Sequence, residues 1–442
     1  MSYPGAGEAA GEVRLRKPER RQMEWVPQCT DDLVAATHGV RRVAAVVAKL
    51  DLSAFREPIK AREGVAGRDA TDPELLVSLW LYGCIRGIGS ARELARRCEE
   101  SAPFRWLCGG VGVNHRMLSD FRTDHGEALD QLFTQVITSL VDQELVSVSR
   151  VSQDGVRVRV SAGAGSFRRE ERLRRLLAES QKHVEELRRE VEEPETMSAA
   201  AAKKKKGERR VVQEKQRRLE QALAQLPELK QRQQERASRA GQGKYGQKIR
   251  EKELRVSTSD PEARVMKMPN GGYNAAYNVQ VASDPQSRAI VGVEVSNQGY
   301  DSSGLSEPMR EQVERRSGRK VEQQLLDGGY LRNRDIARAH EQKVELFVPP
   351  KGARTAKNRG RELEPQRRDS AAIRAWKQRM ASEEGQKIYR QRAATSETIN
   401  ADLRSYRGLT QITVRGLHKA RCVALWCALA YNLMHFASAL QK

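Results

Sequence analysis

Asp154, Asp327 and Glu397 are the residues in this 442-residue chain whose types and placement could do chemistry. Each lies in a different predicted element. Acids from separate elements can converge on one or two hard divalent cations, which prefer oxygen ligands. Two such ions, about 3.5–4 Å apart, activate a water or a 3′-hydroxyl and stabilise the leaving oxygen of a phosphodiester. The chain has 58 acids, so choosing three is easy and their context must carry the choice. In the stretch 152–160, Val156, Val158 and Val160 alternate with Arg157 and Arg159, the period of a half-buried strand. Taken alone, Asp154 near its start reads as a turn residue accepting a backbone N–H. The sharper alternative is a metal ligand, and nothing local decides. Asp327 ends an apolar strand and precedes Gly328-Gly329, where a site at the carboxyl edge of a sheet would lie. Glu397 stands on a helix among Arg390, Arg392 and Arg404, a segment that could grip a phosphate backbone. A surface ion pair is the commoner fate of a helical Glu.

The elements that must position these acids follow from the patterning. Residues 1–28 read as a flexible basic tail, and 29–148 as a compact helical domain. Thr71-Asp72-Pro73-Glu74 has the cap and first-turn proline of a helix start. The helix after it, 75–83, is apolar almost all round and belongs in a core. Helices beginning near Ser90 and Asn114 carry Arg92, Arg96, Arg97, Arg116 and Arg122. These read either as DNA-facing residues of helix-turn-helix units or as a solvated basic face. Residues 149–442 form the second domain, interrupted by a charged, helix-prone insertion at 165–255. Narrow stripes there (Leu173, Leu176, Leu177, Val184, Leu187 and Val191, then Leu219, Leu223 and Leu226) predict an antiparallel helical hairpin. A β-hairpin follows at 273–295, then a helix at 303–316 and strands at 321–327 and 344–348. A basic irregular stretch spans 351–380, with helices at 389–403 and 419–440. This order predicts an α+β or α/β fold: a mixed sheet with flanking helices, beside an all-α N-terminal domain.

Composition narrows the partners. The formal charge is +21, with a pI near 9.9. Such a charge repels itself unless an anionic partner screens it, and nucleic acid is the commonest one. No run reaches about 18 consecutive apolar residues, so no membrane span is expected. Residues 1–11 carry no apolar run of a signal peptide. Cys29, Cys84, Cys98, Cys108, Cys422 and Cys427 form no C-x-x-C pair and no zinc spacing, as reduced thiols in a cytoplasm would.

Three ordered blocks carry a resemblance. The first comprises Leu79-Trp80-Leu81-Tyr82-Gly83, Gly87-Ile88-Gly89-Ser90-Ala91-Arg92-Glu93-Leu94 and Leu118-Ser119-Asp120-Phe121-Arg122. The second is Asp154-Gly155-Val156-Arg157-Val158 with the insertion after it. The third comprises Asp327-Gly328-Gly329-Tyr330, the stretch 389–404, Val414-Arg415-Gly416-Leu417-His418-Lys419-Ala420 and Ala428-Leu429-Ala430-Tyr431-Asn432-Leu433. As a set they resemble the DDE transposases of bacterial insertion sequences. The resemblance implies an RNase H-like catalytic domain and a triad of Asp154, Asp327 and Glu397 holding Mg²⁺, with Mn²⁺ as a substitute. It implies DNA as partner, both terminal inverted repeats and target, and a homodimer in the synaptic complex. It also implies a Tyr/Arg/Glu/Lys signature around the third acid, with Tyr389, Arg390 or Arg392, and Arg404 on DNA. Tyr389 and Arg392 stand one residue further from Glu397 than the family's spacing, and Arg404 replaces its lysine. The expected activity is cleavage at insertion-sequence ends and strand transfer. The alternatives are an inactive DNA-binding or scaffolding derivative, or a nuclease without strand transfer.

Overall fold

Strand β1, Arg150–Val160, lies at the centre of the sheet. A computed structural model describes residues 21, 23, 27–64, 66–192, 199–299, 304–350 and 363–441. The tail expected over 1–28 lies almost wholly outside the described residues, as does 351–362 of the basic stretch.

In β1 the valines at 156, 158 and 160 are buried and Arg159 is exposed, the expected alternation. Upstream, Val151, Ser152 and Gln153 are all buried, because both faces of the sheet are covered there. One edge of β1 pairs with antiparallel β5, Tyr273–Ser283, which pairs in turn with antiparallel β6, Ile290–Ser296. The other edge pairs in parallel with β7, Gln323–Leu326, and β7 in parallel with β8, Glu345–Phe347. The order β6-β5-β1-β7-β8 is a mixed sheet of the α+β, RNase H-like kind. Shorter strands extend it: β4, Arg264–Lys267, along β5, and β9, Gln411–Ile412, along the far end of β1.

The N-terminal region is helical: α1 Gly39–Val47, α2 Ser53–Arg56, α3 Pro73–Ile85, α4 Ala91–Glu100, α5 Ala102–Cys108, α6 His115–Asp124 and α7 Gly126–Asp142. Asp72 caps α3, and residues Leu76 to Cys84 are buried on every side, as an all-round apolar helix requires. The last helix, α16 (Leu417–Leu440), packs against α3, α7 and β6. One continuous core therefore runs from Val40 through the sheet to Tyr431. By length and composition α16 would suffice to cross a membrane. Here its residues from Ala420 to Leu433 are largely buried within the protein, the behaviour of a core helix.

A charged joint reinforces this packing. Asp130 of α7 accepts from Arg316 of α12, Ser306–Ser317, at 2.5 Å and from Arg421 of α16. Arg316 lies over the Phe133 ring, 4.8 Å from its centroid.

The insertion leaves the sheet through a narrow neck, in which β2, Phe167–Arg168, pairs antiparallel with β3, Val256–Ser257. Helix α8, Glu170–Glu192, packs along α9, Ala199–Ala224, around Leu173, Leu219, Ala222 and Leu226. Beyond the expected hairpin come α10, Leu226–Ala240, and α11, Lys244–Glu251. The break falls at Gln225 because Pro227, which has no N–H to donate, sits in the first turn of α10.

Helices α13, Asn333–Glu341, and α14, Ala371–Ala381, pack with β8 around Phe347, Trp376 and Met380. The part of 351–380 read as irregular therefore ends in a helix. Its apolar positions Ala372, Trp376 and Met380 recur at helical spacing but are masked in the sequence by neighbouring cations. The next helix, α15 (Glu383–Ser405), turns off α14 at Ser382, whose hydroxyl accepts the Gly385 N–H. A Cβ on Gly385 would lie 1.9 Å from the Arg379 carbonyl oxygen. Gly385→Ala is expected to destabilise the chain by about 1–3 kcal/mol, the usual cost of overpacking. An unchanged urea midpoint would show that the α14–α15 elbow gives way freely.

Candidate active site

Parallel pairing of β1 with β7 sets Gln153 opposite Leu326. The next residue on each strand is Asp154 or Asp327, so the two aspartates stand side by side where β7 ends. Neighbouring strands lie about 4.8 Å apart, close enough for both carboxylates to serve one site. Asp327 is exposed, and its carboxylate has no hydrogen-bond or ion-pair partner among the described residues.

Helix α15 covers this pair. Asp154 Oδ1 accepts the Gly155 N–H at 2.9 Å and pairs with Arg392 at 3.1 Å. Its Oδ2 accepts from Asn400 Nδ2 at 3.1 Å. Arg392 is mostly buried, and its Nε is buried without a partner among the described residues. Burial works against the Arg392 charge, but Asp154, Tyr389 and Asp327 around it hold its pKa above the ordinary value. Tyr389, one turn earlier, is half-buried; burial raises its phenol pKa, Arg392 opposes the rise, and Asp327 and Asp154 add to it. Asp154, Asp327, Tyr389 and Arg392 therefore share one electrostatic environment.

Arg392, Ser396 and Asn400 form a single helix face at i, i+4 and i+8. Ser396 bonds the Ser152 hydroxyl at 2.8 Å, deep in the protein. Glu397 is one position further, about 100° round the helix, and is exposed. The extra residue between Arg392 and Glu397 has this geometric result. Among the described residues no three His, Cys, Asp or Glu side chains stand close enough to hold one ion together. The structure thus brings together Asp154, Asp327, Tyr389 and Arg392, and leaves Glu397, Arg390 and Arg404 on exposed parts of α15. Asn400 and Ser396 were missed, although their spacing from Arg392 is legible once that arginine is fixed.

The arginines of the helical region divide in the same way. Arg92, Arg96, Arg97 and Arg116 are exposed, with Arg96 and Arg97 both paired to Glu93. Arg122 is placed in the core, not on a DNA-facing surface: it is 6% exposed and lies 4.8 Å from the Trp80 ring centroid. Its guanidinium donates to the Gly89 carbonyl, and its own carbonyl accepts the Trp426 indole N–H at 3.2 Å. All six cysteines are free thiols, five of them buried.

The donor chemistry at the aspartate pair fits a hard divalent cation, since carboxylate oxygens are its preferred ligands. The Arg392 guanidinium beside them, whose Nε has no partner among the described residues, carries the charge that a phosphate oxygen pairs with.

Residues 28–124 match the family described as Transposase domain (DUF772), and residues 251–433 match the Transposase DDE domain. Together these matches span most of the chain. Asp154 and the insertion up to residue 250 lie between them, while Asp327, Arg392 and Glu397 fall inside the second. No curated protein and no solved structure matches the chain.

Proposed function

Since the chain belongs to the DDE transposases of insertion sequences, we propose that Asp154 and Asp327 are the core of a site that cuts DNA at insertion-sequence ends and joins the freed 3′ ends to target DNA. The observation that carries this reading is the parallel register that sets the two aspartates side by side under Arg392. The family generally uses a divalent metal. Asp154 and Asp327 would hold Mg²⁺, or Mn²⁺ in its place, which when bound supplies an activated nucleophile and stabilises the leaving oxygen. Arg392 is the residue proposed to take a non-bridging phosphate oxygen, exchanging part of its bond to Asp154 for one to DNA. Asn400 keeps the Asp154 carboxylate turned toward Asp327. Glu397 enters the proposal as the third acid; its support is its place one turn before Asn400, which already touches Asp154. Arg390, Arg404, Arg92, Arg96, Arg97 and Arg116 are proposed phosphate contacts, supported by their exposure. A homodimer holding both ends, and action in the cytoplasm, belong to the same proposal.

The test is purified protein with Mg²⁺ and a labelled duplex containing an insertion-sequence end. Cleavage followed by joining is expected. Binding without any Mg²⁺-dependent cleavage would favour a non-catalytic DNA-binding protein, the reading that the Asp154–Arg392 pair and the outlying Glu397 support. Cleavage without joining would favour a nuclease. Affinity for DNA should fall steeply with salt, with a log–log slope of about −0.9 for each neutralised phosphate. A flat response would remove the role given to the basic surface.

A further inference from the structure

On the face of the sheet away from α15, three glutamines from three neighbouring strands are fully buried: Gln280 on β5, Gln153 on β1 and Gln324 on β7. Gln153 Nε2 donates to Gln280 Oε1 at 2.9 Å, and Gln324 Nε2 donates to Gln153 Oε1 at 3.1 Å. The row is anchored to the start of α12, where Gln324 Nε2 also reaches the Ser306 carbonyl at 2.9 Å. Buried amides stabilise only when partnered, so aliphatic side chains would cover this face with fewer demands.

Tyr330 joins the row from the site side. It ends the 3₁₀ turn Gly328–Tyr330 that begins at Asp327, and it is 2% exposed. Its hydroxyl donates to Gln280 Oε1. Strands β7 and β5 lie on opposite sides of β1, so this side chain passes beneath β1 to reach its acceptor. Gln280 pairs directly with Gly155 in the antiparallel ladder. Residues opposite one another project to the same face, so position 155 lies on the face that carries the glutamine row.

We infer that Tyr330 and Gln280 form a positioning device: the Tyr330 hydroxyl fastens the turn carrying Asp327 to the strand pair carrying Asp154. The two aspartates gain their spacing from this fastening on the far face of the sheet, as well as from the ladder. The inference rests on the reading of Asp154 and Asp327 as metal ligands, and its test separates the two.

Full-length wild type, Tyr330→Phe, Gln280→Leu and, as a control, Tyr277→Phe are compared without DNA. Tyr277 loses a buried hydroxyl that donates to Asp260 outside the site. Two quantities are read: hydrogen exchange in the peptide spanning 327–331, and Mn²⁺ affinity by calorimetry. Tyr330→Phe and Gln280→Leu, which remove the donor and the acceptor of the fastening, are expected to speed exchange in that turn and to weaken Mn²⁺ binding about tenfold or more, the usual effect of removing a group that orients a ligand. Tyr277→Phe should change neither quantity. Unchanged exchange in Tyr330→Phe overturns the fastening. Faster exchange with unchanged Mn²⁺ affinity overturns its role in the site. If wild type binds Mn²⁺ no better than Asp154→Asn, the two-aspartate reading fails, and the exchange result alone then decides whether the fastening exists.

Discussion

Asp154→Asn is expected to lower Mg²⁺-dependent cleavage by about 10³-fold or more while leaving the fold in place, the scale of loss when a group stabilising transition-state charge is removed. The substitution keeps an oxygen that can still accept the Gly155 N–H and a bond from Arg392, now without opposite charge. It removes the anionic oxygen a divalent cation needs. Asp327→Asn should match it, because both carboxylates are proposed ligands of the same ion, set side by side by the parallel register that leads into them. The assay uses end-containing duplex at saturating Mg²⁺, with circular dichroism as the check on folding. Cleavage surviving either substitution at more than about a tenth of the wild-type rate would remove these residues from the site. Glu397→Gln, run alongside, shows whether the exposed acid belongs with them: a loss as large as that of Asp154→Asn would place it in the working site, and a neutral result would take it out.

Asp130→Ala is expected to destabilise the protein by about 3 kcal/mol, the low end for breaking a buried ion pair. The low end applies because Asp130 is itself a quarter exposed, whereas the Arg316 side chain is only 1% exposed. Without Asp130, Arg316 keeps its charge among apolar neighbours, and its Nε and Nη1 already have no partner among the described residues. Burial lowers the Arg316 pKa, and Asp130 is the chief opposing influence. The same carboxylate also holds Arg421, which retains Glu294 at 3.3 Å. The loss should therefore fall mainly on the α7–α12 contact. Urea unfolding measures it, and the double substitution Asp130→Leu with Arg316→Met should recover most of it. A midpoint unmoved by Asp130→Ala would mean that Arg316 finds solvent without opening the core.

Much of this fold is legible in the sequence wherever a single period dominates. The valines of β1, the capped start of α3 and the apolar run in α16 each announce their element. Asp327 is marked as a strand end by the glycines after it. Features that depend on two elements meeting are less visible. Arg122 reads as a surface cation until Trp80 is seen beneath it, and only the packing of α3 on α6 supplies that ring. Asn400 looks like any polar helical residue until Asp154 lies opposite. Glu397 and Ser396 are adjacent in sequence, yet one faces solvent and the other faces β1. A helix turns about 100° per residue, so a shift of one position decides which side chain meets the strand. The glutamine row is hidden for another reason: its members are 127 and 44 positions apart along the chain (153 to 280 and 280 to 324), and no local pattern links them.

The neck between β2 and β3 bears on how such a chain can assemble at all. Asp154 and Asp327 are 173 positions apart (327 less 154), a long loop to close before the parallel pair forms. Pairing of Arg168 with Val256 removes 88 of those positions (256 less 168) from the effective path. Closure entropy grows only with the logarithm of loop length, so halving the loop saves about 0.6 kcal/mol. The figure is small, and its smallness means that the helical arm imposes almost no topological burden on the sheet. An arm tied off in this way can fold on its own schedule, early or late, while strands β1 and β7 find each other across the remaining 85 positions (173 less 88).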